Sequence, residues 1–378
     1  MQAKNIAIAK EQKIDSLQAL RAWAFLGVFL EHTKYYYRWP AFGVSIFFIM
    51  SGFLLTYRYE NVELSVSLKK RFLFSWNKIK KLYPLHIMTM LCAVILTVAS
   101  FIRHGASTGE INRLILKVVS HVTLLQTWIP DCTISISLIE PAWFLSTLMF
   151  LYFTFPWMKR LVERQSLMKL CLICVLILLA EIAACIPVTR KWGNPSVVYI
   201  WFMYCFPIFR LGDLFIGCVL KRLFFECKVK DMGTVRASIY ELLATGLTLA
   251  VFFWCAEKHS NTVLDALDNW TTPYIPIAAI WVLLFAANKG LISRALTNRI
   301  SIAVGNISPF AFLIHFVVVL YTPYLLSLMN ISASGRLFTV IVLAELLASI
   351  LLSFIYKYID ENYISKIFFA GRNKSLRT

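Results

Sequence analysis

Charge is scarce in this chain, and acidic charge scarcest. Of its 378 residues 15% are charged, with 20 Asp and Glu against 38 Lys and Arg. A soluble domain of ordinary composition carries about a quarter of its residues as charge and about half as apolar side chains. Here 59% are hydrophobic, more than a water-soluble fold would carry. Gly/Ser-rich linkers, low-complexity tracts and internal repeats are lacking as well, which argues against a domain boundary or a solenoid. A single domain over 1–378 is expected, with short tails at 1–16 and 357–378. A secretory leader is not expected, because Met1 to Ser16 is polar and the apolar run from Leu17 carries no small-residue cleavage site at its end. The nine cysteines form no metal pattern. Cys92, Cys171, Cys174, Cys185, Cys205, Cys218 and Cys255 fall inside apolar runs and read as small hydrophobes. Cys171 and Cys174 have C-x-x-C spacing, but no second His or Cys pair stands near them, so no metal is expected. Cys132 and Cys227 are expected on opposite sides of a membrane, so a disulfide between them is not expected either.

Long apolar runs are what the chain has instead. A helix needs about 20 apolar residues to cross a bilayer, and about ten runs approach that length. They are Leu17–Tyr36, Phe42–Tyr59, Leu82–Ile102, Pro141–Trp157, Leu167–Pro187, Val197–Leu220, Ile239–Ala256, Thr272–Ala287, Ile302–Leu326 and Leu337–Tyr356. The formal net charge is +18. The basic residues cluster in short segments between the runs, as cytoplasmic loops do, so a nucleic-acid partner is not expected. With the N-terminus inside, the clusters Lys69–Arg71, Lys78–Lys81, Lys159–Arg164, Lys221–Lys230 and the basic tail all fall on the cytoplasmic side. An even number of spans with both ends inside is therefore expected: an all-α, multi-pass protein of the cell membrane. The segment 104–140 is the longest external loop, and Leu114–Trp128 within it is apolar enough for a short re-entrant or interfacial helix. Tyr35, Tyr36, Tyr37 and Trp39 read as part of an interfacial aromatic belt.

Ionisable residues inside hydrocarbon are costly, which makes them functional candidates. The first run holds Arg21 and, eleven residues on, His32. That spacing is about 16 Å along a helix and within about 20° of one face. A cation near the cytoplasm thus shares a face with an imidazole deep toward the other side. Glu31 lies about 100° round the helix from His32, so direct pairing is not expected. Lys78 and Lys81 follow in a basic segment; one reading is a topological flank, another is a docking point for a phosphate-bearing ligand. Arg210 needs a partner in the membrane, and Asp213 is the nearest in sequence. Their pair reads equally as structural or as support for a reacting group. Ser308 and His315 are seven residues apart and share a face; His315 reads as a site-lining group or as a hydrogen bond between helices. Ser51 lies in a small-residue stretch, Gly43–Leu55, that favours close helix packing.

These features occur in a recognisable order. Arg21-x10-His32 comes first, then Gly43-Val44-x-x-Phe47-Phe48-x-x-Ser51-Gly52-Phe53-Leu54. Lys78-x-x-Lys81-Leu82-Tyr83-Pro84 follows, then Trp143-Phe144-Leu145, then Phe209-Arg210 with Asp213 and Gly217, and last Ile307–Phe316 with Ser308 and His315. The ordered set resembles the membrane acyltransferase-3 family, which includes bacterial O-antigen and exopolysaccharide O-acetylases. The chain departs from the pattern at Lys78 and Lys81, where the family has arginines; charge is kept and the bidentate fork is lost. Met149 stands near where one branch carries Glu, so no carboxylate is assigned there. The resemblance implies an acyl donor, usually acetyl-CoA, approached from the cytoplasm and not permanently bound. It implies as acceptor a hydroxyl of a surface polysaccharide or its lipid-linked precursor. His32 is then the candidate general base, and Arg21, Lys78 and Lys81 the candidates for the donor's phosphates. Ser51, Trp143, Arg210, Asp213, Ser308 and His315 are candidates to line the site. A rival reading from another class is a permease for a glycan precursor or small solute, which also uses intramembrane charge.

Overall fold

The computed structural model describes residues 14–33, 39–193, 196–256 and 271–366. Tyr35–Tyr37, Lys258, His259 and most of both tails lie outside the described residues. Every regular element among the described residues is helical. In chain order the main helices are α1 (Asp15–His32), α2 (Trp39–Arg58), α3 (Leu68–Ile79), α4 (Tyr83–His104), α5 (Thr108–Val122), α6 (Trp143–Arg164), α7 (Leu167–Trp192), α8 (Leu211–Glu226), α9 (Thr234–Ala256), α10 (Tyr274–Ala287), α11 (Leu291–Leu296), α12 (Arg299–Leu328) and α13 (Gly335–Ile359).

Among the described residues six helices are long and apolar enough to cross a membrane: α2, α4, α7, α9, α12 and α13, with α10 a shorter apolar helix. Several are apolar on their outer faces too. Ile95 and Ile102 of α4, Leu172 and Leu176 of α7, and Leu343 and Leu347 of α13 are all exposed. A helix that is hydrophobic all round belongs in a larger core or in a bilayer. The inner helices are α1, α2, α8, α10 and the first half of α12, whose buried rings and aliphatic chains form one continuous core.

Close backbone approach sets the geometry of that core. A Cβ on Gly52 of α2 would strike the Leu214 carbonyl of α8, and one on Gly217 of α8 would strike the Ile49 carbonyl. A Cβ on Gly305 of α12 would strike the Gln18 carbonyl of α1. Without lipid-to-helix hydrophobic contrast, such small-residue contacts hold membrane helices together by van der Waals packing. Gln18 beside Gly305 and His32 beside His315 make α1 and α12 parallel neighbours. Gly43 against Ala24, and Arg21 sharing a cavity with Arg58, make α1 and α2 antiparallel.

Two expected boundaries differ. The run Val197–Leu220 is not one helix: Val197–Ile200 passes into a π turn at Trp201–Cys205, and helix resumes only at Leu211. Pro207 is the cause. It has no N–H to give Met203, and it forces Phe206 into an extended conformation (φ −62°, ψ 121°). Threonines from elsewhere satisfy the freed carbonyls: Thr271 Oγ1 donates to Met203 O at 2.6 Å and Thr147 Oγ1 to Cys205 O at 2.9 Å. The helix of the 104–140 segment is Thr108–Val122 rather than Leu114–Trp128, because a Ser107–Glu110 capping box fixes its start. Only a short turn, Gln126–Trp128, forms beyond it. The basic segment before α4 is also helical: α3 lies against α6, where the Arg71 Nε donates to Phe153 O at 2.9 Å.

Candidate functional site

Helix α1 joins two polar places. At its C-terminal end, His32 Nδ1 is 2.8 Å from Val28 O and 3.3 Å from His315 Nε2. His315 Nδ1 is in turn 2.9 Å from Ala311 O. A carbonyl only accepts, so both Nδ1 atoms carry the hydrogen. His32 Nδ1–H is then shared between Val28 O and the lone pair of His315 Nε2. This leaves His32 Nε2 with its own lone pair free for a proton. It faces Glu140, whose Oε2 is 3.7 Å away. His32 is 11% exposed and Glu140 48%, so the pair sits at the edge of water. Rings hold both imidazoles edge-on: Phe316 against His32 at 5.4 Å, and Phe25 against His315 at 5.6 Å. Glu140 itself is set by the tight turn Glu140–Ala142 that leads, through Pro141, into α6. Glu31 forms no ion pair with His32 among the described residues; it lies within electrostatic reach of Glu140.

At the other end of α1 is a cavity of about 320 Å³ lined by Arg21, Ser51, Arg58, Lys78, Tyr152 and Asn306 among others. Arg21 Nη1 donates to Gln18 Oε1 at 3.3 Å, and the Lys78 ammonium lies 4.6 Å from the Tyr59 ring centre. Ser51 Oγ donates to Phe47 O at 2.7 Å. Three cations thus surround one opening, and like charges so placed favour an anion. Lys81 is not among them: its ammonium is 3.4 Å from the buried Asp360 carboxylate and 5.6 Å from the Phe310 ring. Arg58 was not singled out from the sequence, though it ends the same helix that carries the Gly43–Leu54 stretch.

Between the two ends lies a layer of rings. Phe144 and Phe47 each contact Phe312, at 5.0 and 5.8 Å between centres, and Phe48 lies tilted against Phe144 at 4.4 Å. Along α12 the order is Asn306, Phe312, His315: cavity, ring layer, imidazole. Trp143 is buried at this level, 4.6 Å from the Tyr204 ring. Behind it, Arg210 and Asp213 form a fully buried pair at 3.3 Å; Arg210 also donates to Ser45 Oγ at 3.2 Å and lies over the Phe48 ring. Its Nε and Nη1 have no hydrogen-bond partner among the described residues. Ser308 turns back on its own helix and donates to Gly305 O at 2.9 Å. Of the site candidates, Arg21, Ser51 and Lys78 therefore meet in one cavity and His32 and His315 in one cluster. Trp143, Arg210 and Asp213 pack behind, and Lys81 and Ser308 are engaged elsewhere.

No solved structure matches the chain. A curated relative does: the acyltransferase MdmB of Streptomyces mycarofaciens is 25% identical over 289 residues, covering 74% of this chain and 68% of that protein. The family described as an acyltransferase domain matches residues 14–358, from the start of α1 almost to the end of α13, so the chain is an acyltransferase belonging to the acyltransferase-3 family.

Proposed function

We propose that this protein carries an acetyl group from cytoplasmic acetyl-CoA to a hydroxyl of a cell-surface polysaccharide or its lipid-linked precursor. The observation that carries the reading is α1 itself: Arg21 lines a cationic cavity, and His32, about 16 Å further along the helix, faces Glu140 at the other end. In this reading about ten spans cross the cell membrane with both chain ends in the cytoplasm, which puts the Arg21 cavity on the donor side. The phosphates of CoA dock on Arg21, Arg58 and Lys78, since charge-assisted hydrogen bonds to phosphate are among the strongest available. The slender thioester arm passes the ring layer toward His32. His32 Nε2 takes the proton of the acceptor hydroxyl as its oxygen attacks the thioester carbonyl. The C–O bond forms, the C–S bond breaks, and the departing thiolate receives the proton from the imidazole. Glu140 stabilises the transient imidazolium, and His315 holds the tautomer.

The test uses the purified full chain in proteoliposomes, radiolabelled acetyl-CoA and glycan from the expressing cell. His32→Ala is expected to lower transfer by about 10²–10⁴-fold while CoA still binds in calorimetry. Transfer that survives in this variant removes His32 as the base.

A further inference from the structure

Glu140 faces a second opening. Helices α4, α5 and α12 enclose a cavity of about 430 Å³ whose walls differ in chemistry. One wall is apolar, with Leu96 and Phe101 of α4 and Phe316 and Leu320 of α12. The other is the charged face of α5, with Glu110, Arg113 and Lys117. The opposite face of α5 exposes Ile111, Ile115, Leu116 and Val119. A helix so divided lies in the plane of a bilayer surface with its apolar face in lipid, which puts its charges at headgroup depth.

The charges on this wall are not equivalent. The Glu110 carboxylate is held by the backbone N–H and hydroxyl of Ser107, both at 2.8 Å, which keep it below the usual carboxylate range. Arg113 is paired with Asp131 at 2.9 Å and with Thr133. Lys117 has no carboxylate within ion-pair distance among the described residues. Burial first, and the Arg113 charge second, push its ammonium below the ordinary lysine value, with Asp131 opposing. A cation in that position gains from an arriving anion. A neutral soluble sugar would leave both Lys117 unmatched and the apolar wall uncovered.

We infer that this cavity is the acceptor site and that its acceptor is an amphiphile, a sugar joined through a phosphodiester to a hydrocarbon chain. The phosphodiester meets Lys117, the chain lies along the α4–α12 wall, and the sugar reaches Glu140, which borders both this cavity and His32. That the bound sugar is then acylated rests on the proposed transferase activity; the binding preference does not.

The experiment measures binding to the full chain in phosphatidylcholine nanodiscs with three synthetic probes: dodecyl phosphoglucose, neutral dodecyl glucoside and tailless ethyl phosphoglucose. The anionic, tailed probe is expected to bind at least tenfold more tightly than either other. Lys117→Gln is expected to remove most of that margin and Lys117→Arg to keep it. The inference is overturned if the neutral glucoside binds equally well, if the tailless probe does, or if Lys117→Gln leaves the margin intact. It is overturned too if phosphatidylglycerol displaces the probe at equal concentration, which would make this a general anionic-lipid site. CoA titration of the same samples separates the two ideas. Failure to bind CoA with the probe margin intact defeats the transferase reading alone, and normal CoA binding without the margin defeats this site alone.

Discussion

Glu140→Gln isolates the charge that faces the imidazole. The amide keeps the size and the tight turn before α6, so the change is electrostatic. The carboxylate is 3.7 Å from His32 Nε2. Two unit charges at that separation interact by about 1 kcal/mol in water and about 4 kcal/mol at an effective dielectric constant of 20. Glu140 is 48% exposed and His32 11%, which places the pair between those limits, at about 1.5–3 kcal/mol. Each 1.36 kcal/mol is tenfold in rate, so kcat is expected to fall by about 10–100-fold. The cavity at Arg21, the proposed donor site, lies on the far side of the ring layer, so KM for acetyl-CoA is expected to stay within about twofold. Initial rates of label transfer in proteoliposomes, at several acetyl-CoA concentrations, separate the two parameters. A Gln variant with wild-type kcat refutes the imidazolium role. One with intact kcat and raised donor KM shows that Glu140 acts on the donor instead.

Three further outcomes follow from the same geometry. Arg21→Ala is expected to weaken CoA binding by about tenfold or more, from the loss of about 1.5–3 kcal/mol of charge-assisted hydrogen bonding. Lys81→Ala, whose ammonium serves Asp360, is expected to change it by less than threefold; calorimetric titration that ranks the two the other way overturns the cavity assignment. Gly217→Leu forces a side chain against the Ile49 carbonyl where α2 meets α8. It is expected to lower the thermal unfolding midpoint by several degrees, an overpacking cost of about 1–3 kcal/mol. An unchanged midpoint would mean that the two helices separate without penalty.

The partition between what the sequence discloses and what it hides follows from range. Arg21 and His32 share one helix, so period alone sets their separation and face. Glu140 reaches His32 from a loop more than a hundred residues away, and no local pattern encodes that approach. Lys78 and Lys81 are one turn apart and chemically alike, yet one lines the cavity and the other is drawn to Asp360 of a distant segment. Only packing decides such a division. Other features were local and legible. Pro207 marks the break between Cys205 and Leu211, but hydrophobicity runs unbroken through it and reads as one span. Ser107-x-x-Glu110 is a capping box in plain sequence, and it fixes the start of α5 more firmly than hydropathy does.

The ring layer of Phe47, Phe144 and Phe312 has an electrical consequence. Rings at 5.0–6.0 Å between centres set an apolar partition between the Arg21 cavity and His32. Under the proposed orientation this partition separates the two faces of the bilayer, and a full charge crossing it would exchange about 2.3 kcal/mol per 100 mV with the membrane potential. In the proposed cycle none does: the thioester end of the donor enters neutral, the proton passes from the hydroxyl through His32 to the sulfur on one side of the rings, and the thiol leaves neutral. Turnover in polarised vesicles is thus expected to be the same at any membrane voltage, with the thioester as the sole driving force.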